Sequence, residues 1–239
     1  MTSVGTDNES NRTNWLERTL ASLPAGARIL DAGAGEQQYR RFCSHLDYVS
    51  QDFALYDGSG NRAGLQTGTW DQSSLDIVSD ITAIPEPDAS FDAIMCIEVF
   101  EHLPNPLTAI REFARLLKNG CQLIITAPFC SLTHFAPYHF ASGFNSYFYE
   151  KHLPDAGFEI TELTPNGNYF EYLAQEIRRL PWMAEHYCEY KKAVLDTLGS
   201  NLVLKTLERL SGRDKGSSEL LCFGYHVVAL KHENRRGVS

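Results

Sequence analysis

The chain has 239 residues, 43% of them hydrophobic, and a formal net charge of −9. That is enough apolar content for one sizeable core in one domain, and the acidic balance argues against a broad nucleic-acid surface. No apolar run reaches the roughly 18 residues of a membrane span, and the first ten residues lack the charged-then-apolar order of a secretory leader.

The six cysteines (Cys43, Cys96, Cys121, Cys130, Cys188 and Cys222) are scattered, with no Cys-x-x-Cys pair. They read as buried thiols of a cytoplasmic protein rather than as disulfides or a zinc site. Residues 1–13 are polar and read as a flexible start. Trp15, Leu16, Leu20 and Leu23 then follow helical spacing up to Pro24 and Gly26.

Strand-like runs recur at 28–31, 48–51, 76–79, 91–97 and 122–126, apolar on both alternations as in strands covered on both faces. Between the last two, 106–118 reads as an amphipathic helix. Leu107, Ile110, Phe113, Ala114 and Leu117 share one face, and Gly120 follows as a stop. Residues 57–74, rich in Gly, Ser, Thr and Asn, read as a loop. Further strands are predicted over 159–163 and 220–230. Between them 168–210 is mostly helical, with Pro181 as a break. An insertion that long exceeds an ordinary connection and is expected to add packing with partial lid character. Residues 232–239 form a polar tail. Alternating strands and helices imply an α/β fold with a doubly wound, mainly parallel sheet.

The segment Ile29-Leu30-Asp31-Ala32-Gly33-Ala34-Gly35-Glu36 ends a short apolar run in an acid and two closely spaced glycines. Glycines there permit a sharp turn and close approach of a ligand, and a following helix would present free N–H groups. About twenty residues on, Asp52 ends the next strand, where a carboxylate suits a ribose diol. A dinucleotide fingerprint wants a third glycine where Gln38 stands, and Asp31 would repel a diphosphate while attracting a cationic aminoacyl group. The spelling therefore favours S-adenosylmethionine (SAM) over NAD.

From Arg28 to Phe158 the order of these signals resembles the class I SAM-dependent methyltransferases. Leu30 through Gly35 matches the family's first motif, with Gln37 in place of its usual third glycine. The resemblance implies a seven-stranded sheet and assigns Asp31, Gly33, Gly35 and Asp52 to the cofactor. Val78-Ser79-Asp80-Ile81 is similar to the adenine-holding segment, with Asp80 near the exocyclic amine and Ile81 against the ring. Glu98-Val99-Phe100-Glu101-His102-Leu103 is similar to the turn under the methionine part, which implicates Glu98. Arg115 through Cys121 resembles the turn before the fifth strand. Farther on, Thr126–Phe129 and His134–Phe140 resemble bacterial methyltransferases of surface-glycan or other cell-envelope biosynthesis, although Ala141–Phe144 departs from their pattern.

Methyl transfer is an in-line displacement at an activated sulfonium, and a base is needed only for a hydroxyl or a protonated amine. His134 and His139, with Tyr138 nearby, are the catalytic candidates, though a histidine in an aromatic loop equally suits packing. No metal is expected, because that pair lacks acid–cysteine company at ligand spacing. Glu101 reads as a solvated helix-start residue, His102 stands between packing and a site role, and the pairs Arg178-Arg179 and Arg235-Arg236 read as solvated charge. The leading reading is SAM-dependent methyl transfer to a hydroxyl of a small-molecule or glycan acceptor, without nucleic acid or membrane insertion. An NAD-dependent oxidoreductase or epimerase is disfavoured by Gln38 and by the lack of a Tyr-x-x-x-Lys pair. A catalytically silent SAM-fold protein is disfavoured by intact Gly33, Gly35, Asp52 and Asp80.

Overall fold

The computed structural model describes residues 2–190 and 193–232; most of the expected polar tail and the Arg235-Arg236 pair lie outside them. The chain divides into two compact units. One runs from Trp15 to Thr164 and includes the last strand; the other joins Pro165–Phe223 to the chain start up to Asn14.

Seven strands form one sheet in the order β3-β2-β1-β4-β5-β7-β6. They are β1 (Arg28–Ala32), β2 (Asp47–Asp52), β3 (Ile77–Val78), β4 (Phe91–Ile97), β5 (Leu117–Pro128), β6 (Phe158–Asn166) and β7 (Gly224–Lys231). The ladder is parallel from β3 through β5, and β7 pairs antiparallel to β5 from Gln122↔Leu230 to Pro128↔Gly224. Strand order reverses between β1 and β4, so their carboxyl ends open a crevice at the switch point. Ile29, Ala93, Met95, Ile97, Ile124 and Val228 bury one face of the sheet against Trp15, Leu16 and Leu20 of α1 (Asn8–Ala21). Their neighbours Leu30, Ile94, Cys96, Leu123 and Ile125 are buried as well, so both alternations of the central strands are covered.

The helix α2 (Pro106–Leu116) buries Ala109, Ile110, Phe113 and Leu116. It ends two residues earlier than its periodicity suggests, and Gly120 lies inside β5. Phe91 pairs Leu117 and Ala93 pairs Gln122, so β5 bulges between the two, with Gly120 at φ +76°. Arg115 ties this corner down, donating to both Glu112 oxygens, to Asp88 and to the carbonyls of Ile84 and Glu86. α3 (Ser146–Asp155) is capped by Asn145, whose side chain accepts from the Phe148 N–H.

In the smaller unit α4 (Tyr169–Cys188) runs straight through Pro181. Proline removes one N–H, and the helix instead ends at Glu189, at φ +51°, where the Tyr190 N–H reaches back to the Ala184 carbonyl. α4 packs with α5 (Val194–Ser211) around Val4, Ala174, Leu204 and Leu207. Residues 8–13, read as part of a flexible start, are helical, and Val4 is buried. Arg178, expected in solvent, donates to the carbonyls of Thr2 and Val4 and so holds that start. No helix among the described residues is long and apolar enough to cross a membrane, and no disulfide is formed among them.

Phe113 is fully buried on α2. Phe113→Ala is expected to cost about 3–5 kcal/mol, read as a lower urea midpoint with an unchanged slope.

Candidate active site

The glycine loop does not lead into an α-helix. After Gly35 the chain makes hydrogen-bonded turns and only a short 3-10 helix, Arg40–Phe42. Gln37 interrupts helix formation because its backbone is left-handed, at φ +58°. This is the position where the family usually places glycine, and a side chain there costs roughly 1–2 kcal/mol. The Gln37 amide offsets that strain by donating to the Ser74 carbonyl and hydroxyl at 3.0 and 2.8 Å, while Arg40 donates to its oxygen.

A cavity of about 460 Å³ opens at the carboxyl ends of the strands. Of the cofactor residues expected from sequence, Gly33, Asp52, Asp80, Ile81 and Glu98 line it. Asp52 ends β2 only 5% exposed, one oxygen accepting the Gly35 N–H and the other the Ala54 N–H, each at 2.9 Å. Gly35 thus acts behind the cavity, by fixing Asp52. Gly33, at φ +78°, lies against Val99, where a Cβ would come within 2.6 Å of a methyl. Glu98 follows β4 at φ +56°, a strained backbone for a non-glycine residue and of the kind that collects at functional sites. Asp80 accepts from the Thr82 N–H and hydroxyl, and Ile81 is buried beside it.

Asp31 does not line the cavity. It is 3% exposed and accepts from the Tyr48 hydroxyl at 2.6 Å. Burial pushes its carboxyl up to about 7, opposed by the Tyr48 hydrogen bond and assisted by the Asp52 charge.

The loop 57–74, featureless in sequence, builds a wall. Leu65 bridges His134, and its N–H donates to the Thr133 carbonyl, while the Phe135 N–H donates back to Leu65. This sets Tyr56, Trp70 and Phe135 in mutual ring contact, with centroids 4.8–5.2 Å apart. All three line the cavity, as do Phe53, Leu103 and Phe140. The density of aromatic residues around 53–56, 70 and 129–149 was the available signal for them.

Of the catalytic candidates Tyr138 lines the cavity, while His134 and His139 lie behind it. They connect to it through His102, which does line it; His134 is 4.6 Å and His139 6.0 Å from the His102 ring. The structure thereby gives His102 a site position. Glu101, read as solvated, is only 1% exposed, because its own carbonyl accepts from Phe140 and Ala141 and draws the second loop over it. Its carboxylate stands 3.7 Å from Nε2 of both His102 and His134. Burial and the neighbouring His134 pull His102 down to about 4. Burial opposes charge on His134 as well, but the Glu101 carboxylate and the Leu132 carbonyl outweigh it and raise that histidine. Burial and the neighbouring His134 lower His139.

A model described as a methyltransferase domain matches residues 10–186. The chain belongs to this methyltransferase family. Its sheet and its cofactor motifs are of the class I SAM-dependent type. The ubiquinone biosynthesis O-methyltransferase of Xanthomonas axonopodis pv. citri is 34% identical over 116 residues, 46% of this chain and 47% of that one. The 27-O-demethylrifamycin SV methyltransferase of Amycolatopsis mediterranei is 29% identical over 122 residues, 49% of this chain and 45% of that one. The chain spans about half the length of the curated relatives it matches. Among solved structures, an Archaeoglobus fulgidus SAM-dependent methyltransferase is 14% identical with a TM-score of 0.56, covering 93% of this chain and 94% of that one. The Haemonchus contortus phosphoethanolamine N-methyltransferase 2, in complex with SAM, is 17% identical with a TM-score of 0.55, covering 93% of this methyltransferase and 53% of that chain. These likenesses support the seven-stranded fold expected from sequence.

With an unfolded carboxyl near 3.8 and a folded one near 7, folded Asp31 keeps a proton that the unfolded chain releases. Its contribution is present below the lower value and is lost as pH rises through the upper one. A rise of that size corresponds to on the order of 4 kcal/mol. Melting temperatures measured without cofactor from pH 4 to 8 should therefore show wild type losing stability relative to Asp31→Asn up to about pH 7, then levelling.

Proposed function

We propose that this methyltransferase moves the methyl group of SAM to a hydroxyl oxygen of a small molecule or glycan. The observation that carries the cofactor reading is Asp52, a buried carboxylate at the cavity wall with each oxygen holding one backbone N–H. Each oxygen keeps lone-pair capacity for one ribose hydroxyl. Ile81 offers an apolar face to the adenine and Asp80 an acceptor to its amine, while Gly33 and Glu98 flank the amino-acid end. Asp31 and Gly35 support these residues from behind.

Bound SAM supplies a methyl group already activated on a sulfonium, so the chain's own residues have to align the acceptor, exclude water and receive a proton. Tyr56, Trp70, Phe135 and Tyr138 offer ring faces for an apolar or cyclic acceptor. Tyr138 reaches the acceptor directly, and His134 and His139 carry the proton away behind it. The lowered His139 is neutral at pH 7 and so able to accept one. The names of the Xanthomonas and Amycolatopsis relatives favour oxygen over nitrogen and a small molecule over a polymer. The net charge of −9 supports no nucleic-acid partner, and the absence of disulfides among the described residues supports a cytoplasmic setting.

Calorimetric titration with SAM, S-adenosylhomocysteine and NAD in parallel tests the cofactor. Binding of the first two alone is expected, and binding of NAD instead would overturn the reading. Asp52→Ala should weaken SAM by about 1.5–3 kcal/mol through loss of charged hydrogen bonds; an unchanged affinity would remove Asp52 from the site.

A further inference from the structure

Glu101 is a carboxylate buried to 1% exposure with no hydrogen-bond partner for its Oε2. An anionic oxygen in that position is costly unless something positive meets it. Its Oε1 stands 3.7 Å from His102 Nε2 and 3.7 Å from His134 Nε2, too far for a hydrogen bond to either.

The tautomers of both rings follow from their other nitrogens. His102 Nδ1 donates to the Tyr138 carbonyl at 2.5 Å, and His134 Nδ1 donates to the Leu132 carbonyl at 2.8 Å. In the neutral tautomer each ring turns an Nε2 lone pair toward the carboxylate, a state His134 reaches by giving up the proton that Glu101 favours on it, and His102 Nε2 is itself buried without a hydrogen-bond partner. Three potential ligand atoms converge, and an ion can take the place of the His134 proton. A backbone carbonyl behind each imidazole is also the support that metal-binding histidines use to fix the ring and raise its basicity.

We propose that Glu101, His102 and His134 hold a divalent transition-metal ion, Zn²⁺ foremost, at the acceptor end of the cavity. Their ligand atoms already lie within 4.8 Å of one another. Bonds of about 2.0–2.2 Å in a tetrahedral zinc site place neighbouring ligand atoms roughly 3.4 Å apart. The observed 3.7 Å pairs need to close by a few tenths of an ångström, and the remaining pair, within 4.8 Å, by up to about 1.4 Å. Two histidines and a glutamate leave a fourth position open, as in catalytic rather than structural zinc sites. His102 lines the cavity, so that position faces it. Cys96 is buried nearby but outside the group, which leaves an all-nitrogen and oxygen donor set.

This inference rests on the methyltransferase reading for its role, and in it His134 serves as a ligand, leaving His139 alone to carry the proton. An acceptor hydroxyl at the open position would have its pKa lowered by the ion and release its proton to solvent through His139. Oxygen–carbon bond formation then accompanies carbon–sulfur cleavage, which leaves a neutral thioether.

The test uses the full chain freed of metal by chelator and dialysis, titrated with Zn²⁺ alone, with Co²⁺ alone, and separately with SAM. One Zn²⁺ per chain is expected, together with a rise in melting temperature. Visible Co²⁺ bands without a thiolate charge-transfer band would identify nitrogen and oxygen ligands. Glu101→Gln and His134→Ala should each weaken Zn²⁺ by at least about tenfold while SAM affinity is retained. No Zn²⁺ binding by a wild-type chain that binds SAM overturns the metal site and leaves the methyltransferase reading standing. A thiolate band, or unchanged Zn²⁺ affinity in both variants, places the ion on cysteine or elsewhere and equally overturns it. Loss of SAM binding in the wild type would instead indict the cofactor assignment, with the metal result independent of it. The wild-type Co²⁺ spectrum decides the ligand type even if a variant fails to fold.

Discussion

Where β1 and β4 lie side by side, their following segments turn away in opposite directions, and the site depends on that parting. Asp31 pairs Met95 in this ladder, while Ala32 pairs Gln51 on the other side. The glycine turn, the tip of β2 and the turn after β4 therefore emerge at one level. Gly33, Asp52 and Glu98 come from three different strand ends, yet meet around one cavity. A slip of one residue in either pairing would send Asp52 or Glu98 to the opposite face of the sheet.

Backbone groups then hold this arrangement more than side chains do. The N–H groups of Gly33 and Ala34 both bond to the Gln51 carbonyl, and the Gly35 N–H holds the Asp52 carboxylate. The turn is welded to the end of β2 before any ligand arrives, which is pre-organisation in its simplest form. Gln37 extends the weld to Ser74, at the end of the loop whose aromatic residues wall the cavity. A departure from the family's glycine pattern thus becomes a tie between the cofactor turn and the acceptor wall.

The acceptor end has a different character. Glu101 is buried and His102 and His134 are half-buried, and Glu101 Oε2 and His102 Nε2 have no hydrogen-bond partner. The contrast fits a division of labour. One end is tied by backbone hydrogen bonds before binding, while the other holds lone pairs for an ion or an acceptor group.

By itself the sequence determined the central sheet and the cofactor crevice. Short runs apolar on both alternations suit strands covered twice, and an acid–glycine turn followed by a second strand-end acid is a local pattern in which every element lies within about twenty-five residues. The same locality misled where a single residue was read alone. Gly120 resembled a helix stop but serves a bulge in β5, and Pro181 resembled a break inside a helix that runs on to Cys188. Only the tertiary structure decided that residues 57–74 form a wall, that Asp31 faces Tyr48 rather than the cavity, and that Glu101 is buried against histidines from two loops. Leu65 meets His134 across about seventy residues, and Glu101 meets the same histidine across about thirty. No periodicity carries information over such gaps, because which loops converge is set by strand order and not by neighbouring residues.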